Sequence, residues 1–328
     1  MSGQGAPISG VGAEATDIPL VVLIGPTASG KSALAINLAQ SLTGAGHRAE
    51  IINGDAMAVY RGMDIGTAKP SAAERALVPH HLLDILDITQ TATVADFQAK
   101  ARQVIAMLRD RGIIPIMVGG SSLYVRAVVD DFEFPGTDPA VRARWEARLA
   151  EVGSEALYSE LVSRAPQAAG AMEPGNARRI VRALEVLELT GHYHPHLPEP
   201  RYVLGNVHQF GLTLDRESMD ARIEARVHQM FADGLVDEVR ELEANGLRRG
   251  ITAARALGYQ QVLDMLDGRL DEQGAIKATI EGTRRFARKQ LGWFRRDPRI
   301  QWLPAGQASL VATIGADLGL PASGGTAS

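Results

Sequence analysis

Eight residues near the start of the chain, GPTASGKS at positions 25–32, set two glycines, a lysine and a hydroxyl at the spacing G-x-x-x-x-G-K-[ST]. That arrangement is suited to holding a row of phosphates. Gly25 and Gly30 let the backbone turn its N–H groups inward, with Pro26, Thr27, Ala28 and Ser29 forming the bend between them. Lys31 would reach terminal phosphate oxygens, and the Ser32 hydroxyl would serve a bound Mg²⁺. Such a loop takes ATP, another nucleotide or a simpler diphosphate. Taken alone, it leaves open whether the phosphate is a phosphoryl donor or a leaving group.

The spacing carries weight only where a strand enters the loop and a helix leaves it. Val21, Val22, Leu23 and Ile24 supply an apolar strand, and Leu34, Leu38 and Leu42 recur at helical spacing behind the loop. Residues 49–53 predict a second strand with Asp55 just past its end. Ligands of open α/β sheets gather at such carboxyl ends, so Asp55 is expected beside the phosphate loop. Residues 57–70 have too many polar and glycine positions for a buried element and predict an ordered functional loop. A third short strand is expected within residues 80–87, HHLLDILD. Thr93 then starts a helix with Val94, Phe97, Ala101, Val104, Ile105 and Leu108 on one face, and Gly112 ends it. Residues 113–118 form the next strand, and the glycine turn after it brings Ser121 to the same sheet edge. Strand and helix alternating in this way predict an α/β fold: a P-loop NTPase-like core, its mostly parallel sheet flanked by helices.

From Asp138 and Pro139 onward the strands disappear and short amphipathic helices replace them, so residues 135–202 predict a small all-helical insertion lobe. Residues 18–134 and 203–310 are the two parts of the core. The second part begins with a strand over 207–214 and ends with a long helix over 271–296 and a last strand near Ile300. Residues 1–17 read as a flexible lead and 311–328 as a disordered tail.

At 328 residues with 45% hydrophobic content the chain can bury a large core. Cysteine is absent, which excludes disulfides and thiolate metal sites and fits a reducing compartment. No apolar run reaches membrane-spanning length and no secretory leader is visible, so a cytoplasmic protein with no membrane partner is expected. A net charge of −4 argues against indiscriminate nucleic-acid binding. A polyanion would therefore have to meet a local basic face. One such face is Arg284, Arg285, Arg288, Lys289, Arg295 and Arg296, interleaved with Phe286, Trp293 and Phe294; a second is Arg178, Arg179 and Arg182 on the insertion. Two basic faces on different lobes suggest a partner held between them, and a solvated helix face is the plainer alternative. Arg222 and Arg226, four apart, either clamp a diphosphate opposite Lys31 or balance Glu217 and Glu224. His192, His194 and His196 alternate, but the prolines among them and the want of a fourth ligand argue against zinc.

Beyond these readings, GPTASGKS, the segment DAMAVYRGMDIGTAKP at 55–70, HHLLDILD, GGSSLY at 119–124, RRIVRALEV from Arg178, ALGYQQ at 256–261 and the basic end RRFARKQLGWFRRDPRIQWL resemble, in order, the tRNA dimethylallyltransferases, also called tRNA isopentenyltransferases. The resemblance runs from about Val21 to Leu303. It implies transfer of a dimethylallyl group from dimethylallyl diphosphate to N6 of the adenosine on the 3′ side of the tRNA anticodon, with Mg²⁺, diphosphate release and a monomeric enzyme. It gives catalysis to Asp55, Lys31 and Ser121, adds Arg226 to the diphosphate cradle, and assigns tRNA contacts to residues 55–58 (Asp55, Ala56, Met57, Ala58) and Ser121. Further tRNA contacts fall to Arg142, to residues 178–182 (Arg178, Arg179, Ile180, Val181, Arg182) and to residues 256–261 (Ala256, Leu257, Gly258, Tyr259, Gln260, Gln261). Ala56, Ala58 and Asn176 depart from the residues more usual in the family.

Two rival enzymes share the cradle. In a small-molecule kinase it would hold ATP while Asp55 activated a hydroxyl, but the two basic lobes would then have no purpose. An adenylate isopentenyltransferase would act on a free nucleotide and would not need Arg178, Arg179 and Arg182. A third reading, an RNA-binding protein whose loop only senses nucleotide, would survive the loss of Asp55.

Overall fold

The computed structural model describes residues 17–194 and 197–320; the lead at 1–16, Pro195 and His196, and the end of the tail at 321–328 lie outside the described residues. Two compact units emerge, one of Met1–Asp130 with Tyr202–Ser328, the other Asp131–Arg201.

The first unit begins with β1 (Leu20–Ile24), α1 (Lys31–Gly44), β2 (Ala49–Asn53), α2 (Ala72–Leu77), β3 (His80–His81), α3 (Val94–Asp110), β4 (Ile114–Gly119) and α4 (Ser122–Val129). The second unit holds α5 (Pro139–Arg164), α6 (Pro166–Ala169) and α7 (Ala177–Thr190). The chain then returns through β5 (Val207–Thr213), α8 (Arg216–Ala232), α9 (Leu235–Ala244), α10 (Tyr259–Leu266), α11 (Glu272–Phe294), β6 (Gln301–Pro304) and α12 (Leu310–Asp317).

Six strands form one sheet in the order β3-β2-β4-β1-β5-β6, and every pairing is parallel. All five residues of β1 are buried, as a strand covered on both faces requires. Their side chains alternate. Val21 and Leu23 meet Leu34, Leu38 and Leu42 of α1, whereas Val22 and Ile24 join the cluster of Phe97, Ile105 and Leu108 of α3 and Val125 and Val128 of α4. Helix starts are fixed by side-chain caps: Thr93 accepts the Asp96 N–H at 3.1 Å, Asp215 that of Ser218 at 2.8 Å, and Asp271 that of Gly274 at 2.7 Å. The connections out of β1 and β4 part at the middle of the sheet, so the crevice for a ligand lies at the carboxyl ends of these two strands.

Two local expectations are corrected. The strand expected within residues 80–87 is confined to His80 and His81, because Leu82 (φ 62°) and Asp84 (φ 56°) take left-handed backbone that no strand continues through. The tail expected from residue 311 begins as a helix instead: Leu310 and Ile314 are buried together with the residues of α1. Spacing of four placed both on one face of a single turn.

The helical unit is organised around Trp145, Leu157, Leu161, Ile180 and Leu184. Asp138 caps α5, which breaks at Gly153 (φ 78°, ψ 170°), so that its two halves can both pack on that core. No described helix is long and apolar enough to cross a membrane.

Candidate active site

Ile24 of β1 lies beside Gly119 of β4, and Asn53 of β2 lies beside Val118, so three strand ends open at one level. The phosphate loop leaves β1 there, Asp55 comes just past β2, and Ser121 just past β4. The exits of β2 and β4 touch: Gly54 N–H donates to Val118 O at 2.7 Å, and a Cβ on Gly119 would sit 2.4 Å from Gly54 O. Only glycine fits there. The turn carrying Asp55 is therefore drawn onto the wall that also carries Ser121, at the edge of a cavity of about 810 Å³.

The floor of that cavity is the phosphate loop, which turns through positive φ at Gly25, Ala28 and Gly30 before α1 begins at Lys31. The Lys31 ammonium donates to Pro26 O at 2.6 Å and lies 3.4 Å from Ser29 Oγ. Burial and the neighbouring Arg226 guanidinium pull Lys31 down to about 7, with Asp55 opposing them. Burial likewise lowers Arg226, and Asp55 again opposes the shift. An anion bound beside both side chains would offset the repulsion between them and favour the charged form of Lys31. Ser32, exposed at the same helix start, also lines the cavity.

Asp55 is oriented by its own turn. Its N–H donates to Asn53 Oδ1 at 2.9 Å, its Oδ1 accepts the Met57 N–H at 2.7 Å, and Asn53 Nδ2 bridges Asp55 O and Leu82 O. Oδ2 accepts no hydrogen bond from the described residues. Burial first, then Tyr60 and Asp55, push the Tyr124 hydroxyl up to about 12, so Tyr124 remains a neutral neighbour of the carboxylate.

The opposite walls come from far along the chain. Arg222 and Arg226 of α8 line the cavity, as do Ala256 and Leu257. From α11 come Thr279, Thr283, Phe286 and Gln290. Of the expected phosphate and base contacts, residues 27–32, 55–58, Ser121, Arg226, Ala256 and Leu257 all border this one space. Gly258, Tyr259, Gln260 and Gln261 do not: Tyr259 is wholly buried, its hydroxyl bound to Glu238 at 2.6 Å, and Gln261 caps the Gly258 N–H at 2.8 Å.

Within the helical unit the expected contacts separate into two groups. Arg178 and Arg179 are exposed, but Ile180 and Val181 lie in the unit's core, so a side-chain contact from those two to RNA is corrected. The cause is helical spacing, which turns α7 inward right after the arginines. Arg142 and Arg182 both bind the buried Glu185 carboxylate, at 2.6 and 2.9 Å. Burial raises Glu185, and the two guanidiniums outweigh it and hold the carboxyl below its ordinary value. Arg284 likewise leaves the supposed basic face of α11, because it binds Glu224 at 2.6 Å and Asp220 O at 3.1 Å.

Sequence reasoning missed Gln290 and Lys69. Gln290 hides in a run of basic residues, although its spacing with Ala287, Leu291 and Phe294 marks the inward face of α11. Lys69 lines the cavity wall with its side chain only 1% exposed, and its ammonium binds Asp84 and Tyr60 O, both at 2.7 Å.

A family model described as IPP transferase matches residues 58–297, a stretch that begins just after Asp55 and runs through the helical unit and α11. The chain is 59% identical over 295 residues to the tRNA dimethylallyltransferase of Kineococcus radiotolerans, covering 89% of this chain and 93% of that one. It is 55% identical over 293 residues to the tRNA dimethylallyltransferase of Bifidobacterium longum, covering 89% and 88%. Among solved structures, the full-length tRNA isopentenylpyrophosphate transferase of Bacillus halodurans superposes with a TM-score of 0.67 at 37% identity, over 92% of this chain and 97% of that one. The match takes in the helical unit and the basic helix that a small-molecule kinase leaves without a purpose, and with this cradle, this carboxylate and these relatives the chain belongs to the IPP transferase family.

Proposed function

We propose that this enzyme transfers the dimethylallyl group of dimethylallyl diphosphate to N6 of the tRNA adenosine on the 3′ side of the anticodon. The observation that carries this reading is the placement of Asp55 and the Lys31–Arg226 pair around one cavity. An acceptor for a proton and a cradle for a departing anion then face the same bound substrates.

Each partner has its chemical reason. The C1–O bond of the allyl diphosphate breaks and its electron pair leaves with the diphosphate. Backbone N–H groups of the loop, Lys31 and Arg226 meet that growing charge inside a shielded pocket, where it is worth most. The N6 lone pair forms the new C–N bond, and the proton that N6 sheds passes to Asp55 Oδ2, whose fellow oxygen is already committed to Met57. Ser121 lies on the same wall and would touch the diphosphate or the adenine. A base has to leave its stack to enter such a cavity, which suits a single-stranded loop of RNA.

Mg²⁺ fits the donors present. A single exposed hydroxyl, Ser32, beside a water-accessible pocket is the sparse protein contribution that this ion uses when phosphates and waters fill its remaining positions. When bound, it would neutralise charge on the diphosphate.

The test is to incubate the pure protein with unmodified tRNA and Mg²⁺ and either labelled dimethylallyl diphosphate or ATP. Label is expected in RNA from the prenyl donor alone, and Asp55→Asn should abolish it while RNA affinity stays unchanged. Consumption of ATP without labelling of RNA would instead mean a kinase.

A further inference from the structure

Gln290 is 5% exposed and stands where three pieces of the core converge. Its Oε1 accepts the N–H of Thr27, in the phosphate loop, at 3.0 Å. Its Nε2 donates to the carbonyl of Gly120, in the turn leading to Ser121, at 2.8 Å. The assignment of the amide is unambiguous, since an N–H faces one end and a carbonyl the other. One side chain thus spans two walls of the cavity from a helix 263 and 170 residues further along the chain.

The fit is tight on both sides. A Cβ on Gly120 would lie 2.4 Å from Gln290 Nε2, so the turn accommodates this amide only because residue 120 has no side chain. The helix behind it is equally fixed, because Ala287 and Leu291 pack with Met219, Ile223 and Val227 of α8, the helix that presents Arg226. No other residue type of this length offers both an acceptor and a donor: glutamate would face the Gly120 carbonyl with a like charge, and methionine would leave both backbone groups unpaired.

We propose that Gln290 is a positioning residue for the diphosphate: it locks the phosphate loop and the Gly120–Ser121 turn into one preformed cradle. The inference rests on the prenyl-transfer reading, but the cradle can be read without the transfer. Gln290 touches backbone rather than the reacting atoms. Its loss therefore blurs the aim of the loop N–H groups and of Ser121 while leaving the exposed Arg285 and Arg288 of α11 where they are.

The experiment compares the full-length wild type with Gln290→Met, Gln290→Ala, Gly120→Ala and the double variant Gln290→Ala with Gly120→Ala. Inorganic diphosphate with Mg²⁺ is titrated into each by calorimetry, and KM is measured separately for dimethylallyl diphosphate and for tRNA. Gln290→Met is expected to weaken diphosphate binding and raise the donor KM by about tenfold, with the tRNA KM unchanged, a smaller effect than the roughly 100-fold that a 1 Å misplacement can cost. Gly120→Ala should do the same, because its new methyl group displaces the amide. In the Gln290→Ala background that methyl should cost nothing further. Diphosphate binding within twofold of wild type in Gln290→Met would overturn the proposal, as would a Gly120→Ala effect that persists in full without the amide. If Gln290→Met does not fold, Gly120→Ala alone decides, and unchanged diphosphate binding in that variant overturns the proposal. If the wild type binds diphosphate and transfers no prenyl group, the reading of function fails and the role of Gln290 stands.

Discussion

The Tyr259 hydroxyl donates to Glu238 Oε1 at 2.6 Å, while Glu238 Oε2 accepts the N–H groups of Asp64 at 3.1 Å and Ile65 at 2.8 Å. One carboxylate of α9 thereby ties α10 to the loop of residues 57–70. Burial first, then the Glu238 charge, holds Tyr259 far above its ordinary range, so it donates at every working pH. Tyr259→Phe should cost about 1.5–3 kcal/mol in urea unfolding, as expected for a hydrogen bond to a charged group. Gly66→Ala should cost about 1–3 kcal/mol by overpacking, since its methyl would lie 2.4 Å from the buried ring. Wild-type stability in both variants would mean the junction contributes nothing.

Lys31 carries a pH signature of its own. At a pKa of about 7 it is mostly neutral in the free enzyme at pH 8, whereas a bound diphosphate restores the charged form. Binding should therefore take up close to one proton at pH 8, and affinity should fall as pH rises through the window above about 7. Calorimetry in two buffers of different ionisation enthalpy measures the uptake directly. Lys31→Arg, charged throughout, should show no uptake, and an identical uptake in that variant would assign the proton elsewhere.

The parts of this site that are local in sequence were legible in it. Strand, glycine bend, Lys31 and Ser32 lie within one short stretch whose spacing states its geometry, and Asp55 could be placed from the end of β2 alone. Two kinds of information were not local. Gln290 closes the cavity only because α11 packs across the loop, and nothing near it in sequence announces a partner at Thr27. The apolar run after His81 reads as strand, but Lys69 and Arg75 bind Asp84 and hold a left-handed turn that short-range pattern cannot report. Charge patterning misled for a related reason. It counted Arg284 and Arg182 as free cations, although Glu224 reaches Arg284 through the fold and Glu185, three residues on along the same helix, binds Arg182.

Lys69 should prove a structural anchor of the cavity wall. Its ammonium meets Asp64 at 2.5 Å, Asp84 at 2.7 Å and the Tyr60 carbonyl at 2.7 Å. Burial raises Asp84, but hydrogen bonds from Lys69 and Arg75 outweigh it and hold the carboxyl below its ordinary 3.8. A depressed carboxylate contributes stability that is present above the unfolded value and lost as pH falls through the folded one. Lys69→Met should cost about 2 kcal/mol near neutral pH, less than the 3–5 kcal/mol typical of fully buried pairs, because both aspartates retain water. The gap from wild type should narrow below about pH 4 as Asp84 protonates in both proteins. Denaturant unfolding at pH 7 and pH 3 decides this, and a constant gap would place the effect in packing alone.

The arginines of α7 look alike in sequence and should behave differently. Arg178 is exposed at the start of the helix, whereas Arg182 donates to Glu185 at 2.9 Å, to Pro135 O at 2.7 Å and to Gly136 O at 3.2 Å. Arg182→Ala strips the buried Glu185 of one of its two guanidiniums and should cost about 1–3 kcal/mol of stability. Arg178→Ala removes no such bond. If α7 meets the phosphates of tRNA, Arg178→Ala should leave unfolding unchanged and weaken RNA binding for every sequence alike. The slope of log affinity against log salt should become shallower by about 1. The pair is informative because the two effects cross: one substitution moves the unfolding midpoint and the other moves the salt slope. If Arg178→Ala altered neither quantity, the helical unit would have to grip RNA by another face.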